Sequence, residues 1–215
     1  MGRLLKAGAI LAGLALLGWT AWHPLVVSYQ HFMLRDMFVT DPPLLSGLGP
    51  AQGSHFPGLH AQTAQGQVRL VQTLAGPAGT VIVNLRSVAE DPFCAEQLRQ
   101  LQHYAAQFRA NGVALVALAQ DAPAVLESFA ARNAISIPLL SDTDRLSVKT
   151  LGLLAQSSGS GGENDTMSAV VPGVILVGSD GLVKRTLVMA DPHKRIDSKT
   201  LLSLATTLHQ STPAG

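Results

Sequence analysis

The chain has 215 residues, room for one domain of ordinary size with a tail, and 47% of them are apolar against 13% charged, which is the balance of a globular protein. Its net charge is +1, with Lys and Arg scattered, so it lacks the cationic face that binding to nucleic acid requires. The single cysteine, Cys94, excludes an internal disulfide and a cysteine-rich zinc site.

The N-terminus carries Arg3 and Lys6 and then sixteen residues without a charge, 7–22. Extended to Val27, the run is about 21 residues, or roughly 31 Å as a helix, close to the thickness of a bilayer core. Trp19 and Trp22 stand at its far end, where interfacial aromatics concentrate. An uncleaved membrane anchor and a cleaved secretory signal both begin this way. The stretch Thr-Ala-Trp-His-Pro beyond the run offers no clean small-x-small cleavage site, which favours the anchor. By the positive-inside rule Arg3 and Lys6 stay in the cytoplasm and the domain faces out, in a bacterium into the periplasm.

Residues 28–54 read as a connector: a short helix in SYQHFMLRDMF, then Pro42-Pro43 and a Gly- and Pro-spaced run. A strand is predicted over 68–74, and the β-branched run 80–85 has the composition of a buried central strand. Asp91-Pro92 is a helix start, an N-cap acceptor before a proline at the first helical position. Leu98, Leu101, Ala105 and Phe108 recur at helical spacing until Asn111-Gly112 ends the run. A strand over 113–118 and helices over 122–133 and 145–151 follow, then a low-complexity loop at 156–165. The segment from Pro172 reads as strand, Ser-Asp-Gly turn and strand, and a last helix covers 198–208. Strands alternating with helices and closing on a hairpin imply an α/β fold, a mixed sheet with helices on both faces.

Three segments resemble the peroxiredoxins of the AhpC/TSA group. They are HFPGLHAQTAQGQVRLVQTLAGPAGTVIVNL, the run from GVALVALAQD through Pro138 to Asp142 and on to LGLL, and VPGVILVGSDGLV. Together they lie within residues 55–208. The resemblance implies a thioredoxin-like domain over 55–215, behind a membrane anchor at 1–27 and the connector. It further implies a reactive cysteine at the start of the first long helix, the place Cys94 occupies. There the exposed N–H groups and the helix dipole favour a thiolate, the nucleophile of peroxide reduction and of disulfide exchange. A free cysteine in such a place is either a solvent-reachable nucleophile or a buried, inert core residue. Position and family favour the first.

The motif departs from the family's PxxxTxxC. Ser87 stands for the proline and Asp91 for the threonine, and an ionised Asp91 repels both a thiolate and a hydroperoxide anion. As an N-cap, Asp91 also has a purely structural reading. Pro172 stands where the family often has an arginine, with Arg86 as a possible substitute in sequence. The wider thioredoxin resemblance makes Val171–Pro172 a cis peptide facing the cysteine. CxxC and CxxxC variants of the fold each lack one thiol here. His55, His60, His103 and His193 have no metal-ligand spacing, and neither metal nor cofactor is expected.

The sequence thus carries two functional readings. In the first, the chain is a membrane-tethered, one-cysteine thiol oxidoreductase with weak or altered peroxidase activity. Cys94 is its nucleophile, Asp91 and Pro172 support the site, and an external thiol resets it after reaction with a hydroperoxide or a thiol/disulfide substrate. In the second, it is a thioredoxin-fold binding or assembly module in the periplasm that has lost catalysis.

Overall fold

The computed structural model describes residues 34–156 and 168–207, together with Ser28 and Phe32. The expected anchor at 1–27 lies outside the described residues, as does nearly all of the predicted loop at 156–165. No helix among the described residues is long and apolar enough to cross a membrane. The chain divides into two compact units, Met1–Met37 and Phe38–Gly215. In the first, Ser28, Phe32 and Leu34 are helical, as the connector's sequence predicts.

The second unit is an α/β domain built on strands β1 (Phe38–Val39), β2 (His60–Thr63), β3 (Val68–Leu70), β4 (Gly79–Asn84), β5 (Val113–Ala119), β6 (Leu139–Ser141), β7 (Leu154–Gln156), β8 (Ser168–Val170), β9 (Gly173–Gly178), β10 (Val183–Val188) and β11 (Arg195–Ile196). Its helices are α1 (Pro92–Ala110), α2 (Pro123–Asn133), α3 (Leu146–Thr150) and α4 (Ser198–Thr206). One ladder runs β10–β9–β4 and another β3–β2–β6–β5. They meet where β4 lies along β5, with Ala78 N–H donating to Gly112 O at 2.9 Å and Leu85 N–H to Leu118 O at 2.8 Å. The sheet is mixed. β5 and β6 pair in parallel, whereas β4 with β9, β9 with β10 and β2 with β6 pair antiparallel.

The central strands are buried along their whole length because both faces are covered. The pleat sorts their side chains into two cores. Val81, Val83, Leu115, Val174 and Leu176 point to one face, where Leu98, Leu101 and Phe108 of α1, Phe129 of α2 and Leu201 of α4 pack on them. Ile82, Val116, Leu118, Ile175 and Val177 point to the other, against Val148 of α3, Leu151 and Leu153. Fully burying a side chain such as Leu98 contributes roughly 1.5–3 kcal/mol.

Helix α1 begins and ends where its sequence says. Asp91 caps it, Pro92 opens it, and Gly112, at φ +71°, takes the left-handed conformation that carries the chain into β5. The strand expected over 68–74 is shorter. It stops at Leu70, and Val71–Leu74 forms a turn of 3-10 helix that buries Val71. Short strands β1, β2, β6, β7, β8 and β11 are additions to the predicted elements, and β1 lies inside the predicted connector, pairing in parallel with β11 through Phe38–Arg195 and Val39–Ile196.

Candidate functional site

The site forms at the N-terminus of α1, beyond the end of β4. The loop from Arg86 to Glu90 is pinned by Asp121, which follows β5. Ser87 Oγ donates to Asp121 Oδ1 at 2.7 Å, Val88 N–H to Oδ2 at 2.8 Å and Ala89 N–H to Oδ1 at 3.3 Å, while Ser87 Oγ accepts from Glu90 N–H at 2.9 Å. A serine thus fixes, by hydrogen bonds, the position where the resemblance calls for a proline.

Asp91 divides its two oxygens between structure and chemistry. Oδ1 accepts the N–H groups of Phe93 at 2.9 Å and Cys94 at 3.2 Å, satisfying donors that a helix start leaves without intrahelical partners. Oδ2 accepts Arg86 Nε at 3.0 Å and Nη2 at 2.7 Å, and the Cys94 thiol at 3.1 Å. Burial acts to raise the carboxyl's pKa. The hydrogen bonds from Arg86 and Cys94 and the Arg86 charge outweigh it and hold Asp91 below the usual carboxylate range.

Cys94 sits at the third helical position but is 0% exposed, packed in the core with Val83, Leu85, Met189 and Ile196. The expected solvent-reachable thiol is therefore a buried one, because the first turn of α1 faces into the sheet. Burial is the largest influence on the thiol and raises its pKa. The guanidinium of Arg195 lowers it, the Asp91 carboxylate raises it, and the net shift is upward. Repulsion from Asp91 was legible in the sequence; desolvation, the larger effect, was not.

Arg195 is the residue that sequence reasoning missed. It lies on β11, 2% exposed, with Nη2 3.5 Å from Cys94 Sγ and 3.7 Å from Asp91 Oδ2. Its other terminal nitrogen, Nη1, donates to the carbonyls of Pro192 and Lys194, both at 2.8 Å. A hundred residues of chain separate it from Cys94, and the short run Lys-Arg-Ile-Asp carries no periodic signal, so tertiary packing, the β1–β11 pairing included, and not local spacing places it.

Pro172 stands at the head of β9, but no peptide bond among the described residues is cis, and Val171–Pro172 is trans. This corrects the expected cis peptide. Trans is the ordinary preference of an X–Pro bond, and here the chain runs extended, with Val171 N–H bonded to Leu153 O and Val171 O accepting Asn84 Nδ2 at 2.9 Å. Among the described residues the hydrogen-bond partners of the Cys94 sulfur are Asp91 and Arg195, and Pro172 is not one of them.

A cavity of about 630 Å³ opens beside the site. Arg86, Ser87, Glu90, Gln120, Asp121 and Arg145 line it, and Cys94 does not, so Arg86 is the link between the cavity and the buried thiol. Among the described residues no three His, Cys, Asp or Glu side chains converge as a metal site. Asp142 accepts the N–H groups of Ser147 and Val148, and Asp144 that of Leu146, so these two carboxylates cap α3.

The sequence model described as the AhpC/TSA family matches residues 52–196. No curated protein matches the chain. Among solved structures, it is similar to peroxidoxin BcpB from Mycobacterium tuberculosis (16% identity, TM-score 0.61, covering 77% of this chain and 99% of that one). It is also similar to a thiol peroxidase from Chromobacterium violaceum (21%, TM-score 0.60, 76% and 90%). A third is reduced Prx3 from Vibrio vulnificus in complex with H2O2 (23%, TM-score 0.60, 73% and 99%). At these identities the likeness establishes a thioredoxin-like fold.

Proposed function

We propose that this chain, which belongs to the AhpC/TSA family, is a one-cysteine thiol oxidoreductase that reduces hydroperoxides slowly and is tethered to a membrane by its N-terminal segment. The observation that carries the reading is the sulfur of Cys94 at the start of α1, within reach of the Arg195 guanidinium. In the reaction the Cys94 thiolate attacks the terminal oxygen of ROOH and the O–O bond breaks. The alkoxide takes up a proton to leave as ROH, and the cysteine becomes a sulfenic acid. One external thiol converts this to a mixed disulfide, releasing water. A second attacks that disulfide, returning Cys94 as a thiol and leaving as the external disulfide.

The slowness follows from the thiol's surroundings. Burial and the Asp91 carboxylate both favour the protonated form, whereas only the thiolate reacts. Tethering and an outward-facing domain rest on Arg3, Lys6 and the apolar run behind them. Full-length protein is expected to stay with membranes through a carbonate wash, and a mature form beginning near His23 would sink the tether.

Purified protein in detergent, given hydrogen peroxide and a small thiol, is expected to consume peroxide slowly, with Cys94→Ser inactive. The second reading, a binding or assembly module without catalysis, is favoured by the burial of Cys94. It prevails if no sulfenic acid forms on Cys94 at millimolar peroxide.

A further inference from the structure

The cavity of about 630 Å³ beside α1 has a lining that the thiol reaction itself leaves unused. Its volume lies within the range of small-molecule sites, about 300–1,000 Å³. Two guanidinium groups line it, Arg86 from the loop before α1 and Arg145 from the turn between β6 and α3, beside the apolar Ala122, Val125 and Val170. Of the two carboxylates in the lining, Asp121 is engaged by Ser87 Oγ and by the N–H groups of Val88 and Ala89. Glu90 is exposed, where water and salt screen its charge.

Arg86 has donors to spare. A guanidinium carries five N–H bonds, and Asp91 takes one from Nε and one from Nη2, so that the fork is held in place. Nη1 has no hydrogen-bond partner among the described residues. Asp91 Oδ2 also accepts the Cys94 thiol at 3.1 Å, so a single carboxylate separates this guanidinium from the sulfur. Arg145 reaches the cavity from a strained backbone. Its φ of +59° lies in the left-handed region, which Gly or Asn adopts at less cost. The turn explains the conformation, with Arg145 N–H donating to Asp142 O at 2.9 Å, but not the choice of an exposed arginine there. Strain kept at the rim of a cavity points to a use for the side chain it carries.

We infer that this cavity is a carboxylate-binding subsite, in which Arg86 and Arg145 seat the anionic end of a small molecule that reacts at Cys94. The apolar residues beside them suit a short hydrocarbon stem, and a guanidinium fork matches a carboxylate in shape and charge. The inference rests on the proposed thiol chemistry for its purpose. The carboxylate belongs either to the external thiol that resets Cys94 or to the hydroperoxide.

The first test needs no reaction. Saturation-transfer NMR on the full chain in a neutral detergent is run with thiodipropionate, an unreactive thioether dicarboxylate, and with its uncharged diamide. The dicarboxylate is expected to bind saturably and about tenfold or more tighter than the diamide, and Arg145→Gln to remove that advantage. Arg145→Lys, which keeps the charge but loses the fork, is expected to fall between them. Equal binding of the two probes overturns the inference, as does unchanged dicarboxylate binding in folded Arg145→Gln. The second test separates the sources by rates in wild type relative to Arg145→Gln, a ratio that cancels each reagent's own reactivity. A ratio higher for mercaptopropionate than for mercaptoethanol assigns the carboxylate to the resetting thiol. A ratio higher for a short hydroperoxy acid than for its methyl ester assigns it to the hydroperoxide. Turnover with no charge preference in either pair overturns the link to Cys94. Absence of any turnover, with dicarboxylate binding intact, counts against the proposed activity and leaves the subsite standing.

Discussion

Replacing Asp91 by threonine should make Cys94 more acidic and faster to oxidise. In the wild type the carboxylate oxygen lies 3.1 Å from the sulfur and the side chain is buried. Two like charges about 4 Å apart repel by about 1 kcal/mol in water and about 4 kcal/mol at the effective dielectric of a partly buried site. That range corresponds to about one to three pH units. A drop of about two units raises the thiolate fraction at neutral pH about a hundredfold. A more acidic thiolate is also a weaker nucleophile, with a Brønsted slope of about 0.4–0.5, so the net gain in rate is about tenfold. Threonine keeps an oxygen at the N-cap, but losing the pair with Arg86 and Arg195 destabilises the fold by up to about 3–5 kcal/mol. A thermal melt therefore precedes the kinetics. The assay is stopped-flow oxidation of the single thiol by peroxide alongside its titration. If Asp91→Thr is folded and its thiol titrates where the wild type does, the carboxylate's charge is already spent on Arg86 and does not reach the sulfur.

The raised thiol pKa makes a signed prediction for stability: the contribution of Cys94 is present in full below about pH 8.5 and is lost as pH rises through the folded value. Denaturant melts of wild type against Cys94→Ser should diverge only on the alkaline side. Asp91 has the opposite sign, its contribution being present above about pH 4 and lost as pH falls through its depressed folded value, so Asp91→Asn should flatten part of the acid limb of the same melts. Asp121→Ala removes the acceptor for Ser87, Val88 and Ala89 and should cost about 1–3 kcal/mol. It should also speed hydrogen exchange in 87–90, and unchanged exchange there would deny Asp121 its clamp. Phe108→Ala, at a fully buried position of α1, should cost about 3–5 kcal/mol in a urea titration.

Sequence patterns recovered those elements whose burial covers whole strands or whole helical stripes. The runs at 80–85 and 113–118 are continuous because both sheet faces are covered, and α1 is bracketed by Asp91-Pro92 and Asn111-Gly112, each a local signal. The strands that escaped are short or half-exposed. β2, His-Ala-Gln-Thr, buries only Ala61 and has too few residues for an alternation to register. β1 and β11 have two residues each and exist only through each other. Residues 68–74 read as one strand because a 3-10 turn and a strand place an apolar residue such as Val71 inward equally well over so short a span.

The site divides along the same line. Asp91 and Cys94 are three residues apart on one helix start, so a rule of local geometry relates them, and the structure finds the carboxylate both capping the helix and touching the thiol. Arg195 is related to them by topology alone. The final helix α4, capped by Asp197, packs beside α1, with Ser198 N–H and Oγ donating to Gln100 Oε1 at 3.0 and 2.7 Å. That contact brings β11, which immediately precedes α4, to the first turn of α1. The arginine thus arrives at the thiol from the far end of the chain because two helices dock, a relation no spacing rule contains. The sulfur itself is buried in the core on the same face of the sheet. Burial raises the thiol's pKa and Arg195 lowers it, the two largest and opposing influences on Cys94. A substitution that loosens α4 from α1, such as Gln100→Ala, should therefore change exposure and charge support together. The shift in thiol pKa should then be smaller than either cause alone would give.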